Sequence, residues 1–75
     1  MAAEIHIYGK STWPFTNAAR EAYRKKDVDV KYLDVLENEE DLEKMLELTD
    51  GNRRVPVIVE GESVLIGFGG RSWRV

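Results

Sequence analysis

Apolar and polar residues follow one another with two different periods along the first half of the chain. Residues 4–8 alternate polar and apolar side chains and stop at Gly9, a pattern typical of a strand. Pro14 suits the first turn of a helix, because the N–H that proline lacks would have no partner there. From that point apolar side chains recur every three or four residues in one stripe: Phe15, Ala18, Ala19, Ala22 and Tyr23. This half predicts a strand and an amphipathic helix, and Asp27 breaks the helical pattern.

The second half predicts another strand, another helix and a hairpin. Apolar positions between 28 and 35 predict a strand, parallel to the first if the helix between them is a crossover. Asn38 is a good N-cap with three acidic residues after it, and Gly51 suits the C′ position that ends a helix. Residues 57–59 and 63–66 flank a turn with glycine and predict a β-hairpin. The order β-α-β-α-β-β predicts an α/β fold with one four-stranded mixed sheet.

Composition narrows the classes of protein to which the chain can belong. Seventy-five residues predict one domain over residues 1–75, and 43% hydrophobic with 33% charged residues suits a soluble globular protein. The net charge of −3 argues against a nucleic-acid partner. No apolar run approaches the roughly 20 residues of a membrane span, and no basic segment with an apolar stretch opens the chain. We expect a monomeric, cytoplasmic protein that binds neither nucleic acid nor membranes.

Four segments, taken in chain order, resemble the glutaredoxin family. The strand at residues 4–8 leads into a loop that opens the helix with Trp-Pro-Phe-Thr at residues 13–16. The family has Cys-Pro-aromatic-Cys or Cys-Pro-aromatic-Ser/Thr there. Residues 53–57, Arg-Arg-Val-Pro-Val, resemble the family segment that contains a cis-proline. Residues 63–70 resemble its last strand and its Gly-Gly turn.

This resemblance implies a thioredoxin-like fold that covers residues 4–72. It predicts a cis peptide bond between Val55 and Pro56, whereas most X-Pro bonds in folded proteins are trans. The family continues into a final helix after the Gly-Gly turn. Only five residues follow Gly70, so we expect that helix to be truncated or absent. Trp73 would then pack on the sheet face that is left less covered.

The resemblance also implies redox chemistry at Trp13, Pro14 and Thr16, the positions that match the family's catalytic motif. A thiol at position 13 would lie at a helix start, where N–H groups and the helix dipole lower its pKa. Lys10 would add Coulomb attraction, and Thr16 would donate a hydrogen bond to the anion. The chain has no cysteine, and an indole does not attack a disulfide. We predict no thiol–disulfide exchange with Trp13 in place, and an exposed indole whose replacement costs little stability.

Several explanations for Trp13 stay open at this point. In one explanation, the chain is a diverged binding module and Trp13 contacts a partner. In a second, the chain is an engineered inactive variant. In a third, Trp13 is a packing residue. Alternatively, the parent residue is cysteine or selenocysteine, whose codon UGA differs from the Trp codon UGG by one base. Thr-x-Pro-Phe-Thr, with x at position 13, resembles small glutaredoxin-like selenoproteins with Sec-x-x-Thr. Without a thiolate at position 13 the chain cannot carry an iron–sulfur cluster, and we expect no metal site.

A glutathione site is a further implication of the resemblance, with glutathione as ligand or reductant and no other cofactor required. Its predicted members lie in three segments: Lys10, Arg53, Arg54, Val55, Pro56, Gly69, Gly70, Arg71 and Ser72. Val55 would pair with the extended tripeptide, and the basic residues before it would meet the glycyl carboxylate. The N–H groups of Arg71 and Ser72 would meet the γ-glutamyl carboxylate. Arg71-Ser72 replaces the family's small residue and aspartate, so the partner of the ligand's α-ammonium is lost.

Overall fold

The computed structural model describes residues 4–26 and 28–75, so Asp27 and its predicted break of the helix lie outside the described residues. The described residues form eight elements in chain order: β1 Glu4–Gly9, α1 Pro14–Arg24, β2 Asp29–Asp34, α2 Glu39–Leu48, β3 Arg54–Val55, β4 Val57–Glu60, β5 Ser63–Ile66 and β6 Trp73–Arg74. The predicted β-α-β-α-β-β order is confirmed. Two short strands, β3 and β6, add to it.

The main sheet has four strands in the order β2-β1-β4-β5. Strands β1 and β2 are parallel, with Ile7 opposite Tyr32, because α1 carries the chain back between them. Strand β4 lies antiparallel to β1 and forms a hairpin with β5. The predicted four-stranded mixed sheet is therefore confirmed.

Side chains alternate between the two faces of this sheet and form a core on each side. Beneath α1, the first core cluster contains Ile5, Ile7, Ala19 and Ile58. Beneath α2, the second core cluster contains Tyr8, Val35, Met45, Val55 and Val57. The adjacent residues Ile7 and Tyr8 point to opposite faces, so β1 contributes to both clusters and lies at the centre of the fold.

Helix α2 begins as predicted and ends one residue differently. The Asn38 side chain accepts a hydrogen bond from the Glu40 N–H (3.0 Å), which confirms the N-cap. Gly51 was expected at the C′ position, and this is wrong. Asp50 holds the left-handed conformation there (φ 56°), and the Gly51 N–H donates to the Leu46 carbonyl (2.8 Å). Aspartate tolerates this backbone region, and the hydrogen bond places Gly51 at C″ of a Schellman motif.

Residues 71–75 form no helix. Trp73–Arg74 instead forms β6, which pairs antiparallel with β3 in a separate two-stranded sheet. The expectation that Trp73 packs on the main sheet face is therefore wrong. Its register partner is Val55, and its ring lies against that of Trp13.

Candidate functional site

The loop between β1 and α1 places position 13 at the start of a helix. Trp13 is the N-cap of α1, with an extended backbone (φ −93°, ψ 114°), and Pro14 begins the helix. The Trp13 carbonyl accepts hydrogen bonds from the N–H groups of Thr16 (3.0 Å) and Asn17 (3.4 Å). Its own N–H donates to the Lys10 carbonyl (3.0 Å). A side chain at position 13 therefore lies at the positive end of the helix dipole.

The Trp13 side chain is half-buried, and the prediction of an exposed indole is wrong. It packs against the second core cluster, and its ring centroid lies 5.1 Å from that of Phe15 and 5.3 Å from that of Trp73. The indole Nε1 is buried, and no described residue accepts a hydrogen bond from it. The prediction failed because Trp73, distant in sequence, covers the outer side of the loop.

Thr16 and Pro14, the other two positions of the predicted catalytic motif, lie on opposite sides of the helix start. Thr16 is fully buried, and its hydroxyl accepts a long hydrogen bond from the Lys10 N–H (3.4 Å). Pro14 is exposed. The hydroxyl of Thr16 therefore lies beneath the loop, and its predicted donation to an anion at position 13 stays a prediction.

The edge of β3, expected to pair with an extended ligand, is paired within the chain. The Val55–Pro56 peptide bond is cis, the configuration that the sequence predicts. Val55 is fully buried, and its register partner is Trp73 of β6. One residue pair further on, the Val75 N–H donates to the Arg53 carbonyl (2.8 Å).

The three cations that were predicted to meet a ligand carboxylate all contact residues 72–75. The Lys10 Nζ lies 4.4 Å from the centroid of the Trp73 ring. The Arg53 Nε donates to the Val75 carbonyl (2.7 Å), and the Arg54 guanidinium donates to the Ser72 hydroxyl (3.3 Å). The fold therefore gathers these side chains around one short segment.

The Gly-Gly turn forms a tight two-residue hairpin. Gly69 and Gly70 have positive φ values of 61° and 77°, a conformation that glycine adopts without steric cost. The Phe68 N–H donates to the Arg71 carbonyl (2.9 Å), and the Arg71 N–H donates to the Phe68 carbonyl (3.1 Å). The predicted donation by the Arg71 N–H to a ligand carboxylate is wrong for this conformation, because the turn itself uses that group.

Comparison with known proteins assigns the family. The Glutaredoxin family model matches residues 5–64, which is most of the chain. The chain belongs to the glutaredoxin family. It is similar to the crystal structure of glutaredoxin Grx-1 from Archaeoglobus fulgidus, with 29% sequence identity and a TM-score of 0.76 over 89% of this chain and 77% of that chain. No curated protein matches the sequence significantly.

The family match and the fold together identify a thiol-oxidoreductase-like scaffold. In this glutaredoxin scaffold, position 13 holds an indole and the chain contains no cysteine. Within residues 4–26 and 28–75, no three histidine, aspartate or glutamate side chains come together as metal ligands. No described helix is long and apolar enough to cross a bilayer.

One carboxyl close to the glutaredoxin loop has a shifted pKa. Asp34 ends β2, and its side chain accepts hydrogen bonds from the N–H groups of Leu36 (2.9 Å) and Glu37 (3.3 Å). Burial alone would raise the pKa of Asp34, but these hydrogen bonds, with one from the Tyr32 hydroxyl, outweigh burial and lower it. Asp34 thereby fixes the turn after β2, beside the loop that carries position 13.

Sequence reasoning missed residues 73–75 as members of the site. The one available signal was the apolar-polar-apolar run Trp73-Arg74-Val75, which fits a short strand. A run of three residues has too little length to predict a strand, and its partner strand β3 has only two residues. The pairing follows from the tertiary position of β3 at the end of the second core cluster.

Proposed function

We propose that this chain is the scaffold of a glutaredoxin-type thiol- or selenol-disulfide oxidoreductase whose nucleophile belongs at position 13. The observation that carries the proposal is the position of residue 13 at the N-cap of α1, between β1 and Pro14. This is where the backbone stabilises an anion most directly. With Trp13 in place, the chain has no group that attacks a disulfide.

The proposed reaction needs one chalcogen and no second cysteine. A thiolate or selenolate at position 13 attacks one sulfur of a disulfide and forms a mixed disulfide, while the other sulfur leaves as a thiolate. One glutathione thiolate then attacks the mixed disulfide, or two in succession when the trapped half is a protein thiol. With a protein disulfide as substrate, two glutathione molecules are oxidised to glutathione disulfide and the substrate is reduced to two thiols. With a glutathione adduct, one free glutathione and the glutathione half of the adduct form glutathione disulfide, and one protein thiol is released. Glutathione is thus the reductant and a disulfide-bearing protein or glutathione adduct the substrate.

The unsatisfied indole supports a smaller parent residue at position 13. Buried tryptophan N–H groups usually find an acceptor, because an unpaired buried donor costs about 1–3 kcal/mol. The Trp13 Nε1 is buried with no acceptor among the described residues. Cysteine or selenocysteine at this position would leave no such donor. For a selenocysteine parent, a UGA codon read as Trp would account for Trp13 in the sequence.

A second function is favoured by the packing of the same side chain. The Trp13 ring contacts the second core cluster as well as Phe15 and Trp73, as expected of a residue that has become part of the fold. On that ground the chain is a redox-inactive glutaredoxin-fold module that binds glutathione, a peptide or a protein. An unmodified UGG codon at position 13 supports this second function, and UGA supports the first. For both functions we propose a cytoplasmic monomer.

Activity measurements test the proposed oxidoreductase directly. With a glutathione mixed disulfide as substrate and glutathione as reductant, the chain with Trp13 should give no turnover above a protein-free blank. The Trp13→Cys variant should catalyse turnover of the substrate. The Trp13→Ser variant should not, because serine is close to cysteine in size but has no nucleophilic sulfur. Turnover by the chain with Trp13, or a folded Trp13→Cys variant without activity, contradicts the proposal.

A further inference from the structure

Residues 72–75, which we name the tail segment, lie along β3 as an extended peptide does. Their register sets Trp73 opposite Val55 and Arg74 opposite Arg54. The Val75 N–H donates to the Arg53 carbonyl (2.8 Å), so these two residues form a hydrogen-bonded pair. The backbone of the tail segment therefore runs antiparallel to the segment that precedes Pro56.

The alternation of an antiparallel ladder extends this pairing to Val55. Hydrogen-bonded and non-hydrogen-bonded pairs alternate along two antiparallel strands. Since Val75 and Arg53 are hydrogen-bonded, Arg74 and Arg54 are the non-hydrogen-bonded pair, and Trp73 and Val55 are hydrogen-bonded again. Both backbone polar groups of Val55 on this edge are thus used by the chain itself.

Three residues of the tail segment engage the side chains around the edge. Lys10 lies over the Trp73 ring, Arg53 donates to the Val75 carbonyl, and Arg54 donates to the Ser72 hydroxyl. An edge strand and three cations that suit an extended anionic peptide all face one internal segment. An outside peptide cannot pair with Val55 while this segment is in place.

We propose that the tail segment is an autoinhibitory strand, which an extended thiol tripeptide must displace from Val55 before it binds. The inference rests on the proposed function for the class of ligand, a γ-glutamyl tripeptide. It adds that the site has a closed state, with β6 on β3, and an open state, with β6 released. In the closed state the Trp73 ring also covers position 13, at 5.3 Å between ring centroids.

The contacts of the closed state, which include the packing of Val75 against the second core cluster, lie outside the hydrogen-bond ladder of the main sheet, so the segment can open without unfolding that sheet. Strand β6 has two residues, Arg74 is exposed, and 46% of the Trp73 surface remains accessible. Isolated two-stranded pairs of this length are marginally stable in water. Strand β6 pairs only with β3 and takes no part in the β2-β1-β4-β5 sheet. For segments of this kind, the free energy of local opening is a small fraction of the free energy of global unfolding.

Two proline variants test the proposal, and they differ by one position. Val75→Pro removes the N–H that donates to Arg53. Arg74→Pro is the matched control, because the N–H of a non-hydrogen-bonded pair makes no bond to β3. The probe is S-methylglutathione, which lacks a free thiol and binds without covalent chemistry. Its dissociation constant is measured by NMR titration of the Val55 amide, with far-UV circular dichroism to verify folding.

We expect Val75→Pro to bind S-methylglutathione about fivefold more tightly than the unaltered chain, and Arg74→Pro to bind within twofold of it. Loss of one net backbone hydrogen bond shifts the closed-to-open equilibrium by about this factor, and apparent affinity rises with the open fraction. Equal affinities for all three proteins overturn the proposal, and so does absence of binding to Val75→Pro.

Hydrogen exchange on the unaltered chain gives a second test that needs no variant. Saturating S-methylglutathione should speed exchange of the Val75 amide and slow exchange of the Val55 amide. Binding that leaves the Val75 amide protected overturns the proposal. Neither readout involves a nucleophile at position 13, so failure here is distinguishable from failure of Trp13→Cys to turn over.

Discussion

Gly9, the last residue of β1, packs directly against the buried Thr16 side chain in the first turn of α1. A Cβ atom at position 9 would lie 2.9 Å from the Thr16 Oγ1 and closer still to its Cγ2. This contact joins the two ends of the loop that carries position 13. The loop geometry therefore depends on a glycine that has no need of positive φ.

We expect Gly9→Ala to lower the free energy of unfolding by about 1–3 kcal/mol, because the added methyl group overpacks a filled site. Thr16→Ala removes the Oγ1 and Cγ2 atoms that the new methyl group would meet. The double variant Gly9→Ala, Thr16→Ala should therefore lose less free energy of unfolding than the sum of the two single losses. Urea denaturation of the two single variants and the double variant measures this coupling. Strict additivity of the two single effects would show that the contact does not limit position 9.

Two replacements of Trp13 should separate the contribution of the indole's volume to the free energy of unfolding from the contribution of its N–H. Trp13→Ala should destabilise the fold by about 2 kcal/mol, since a half-buried ring loses its contacts with the second core cluster. Trp13→Phe keeps most of the ring and removes the unpaired Nε1–H, so it should cost less than about 1 kcal/mol. The free energies of unfolding decide this, and a loss for Trp13→Phe as large as that for Trp13→Ala would show that the Nε1–H, rather than the ring contacts, carries the stabilising energy.

Asp34 should contribute to the loss of stability in acid. Its folded-state pKa is lowered, so its contribution is fully present above its unfolded pKa of about 3.8 and is lost as pH falls through the folded value. Asp34→Asn removes the titrating group and should make the free energy of unfolding fall less steeply between pH 5 and pH 2. Urea titrations of both proteins over about that range measure it. Parallel curves would mean that Asp34 has the same pKa in the folded and unfolded states.

The main elements of this fold were predictable because their signals are local. The alternation in β1, the apolar stripe of α1 and the Asn38 cap each depend on neighbours within one element. The exchange of Gly51 for Asp50 at the helix end shows the limit of this approach. Both residues tolerate left-handed backbone, and the choice between them is made by which hydrogen bonds close the last turn.

The parts of the site that escaped prediction depend on pairs of residues far apart in the sequence. The burial of Trp13 is decided by Trp73, and the occupancy of the Val55 edge is decided by the same strand. The family pattern around Val55 predicted that edge as a ligand site. That pattern carries no information about β6, which pairs with the same edge. The predicted donation by the Arg71 N–H to a ligand failed for a related reason, because the tight turn at Gly69-Gly70 uses that group internally.

The central claim is that position 13 lies where this glutaredoxin scaffold activates a nucleophile. The measurement is the pH dependence of alkylation of Trp13→Cys, whose new thiol is the only one in the chain. Ser63→Cys is the matched control, an exposed position in β5 away from either helix start.

We expect the Trp13→Cys thiol to have a pKa below the unperturbed value of about 8.5, within the roughly 3.5–7.5 range of thiols at helix N-termini. The Ser63→Cys thiol should titrate near about 8.5. The helix dipole at the N-cap and the nearby Lys10 ammonium supply the difference. A pKa for Trp13→Cys at or above that of Ser63→Cys would contradict the account and would favour a redox-inactive binding module.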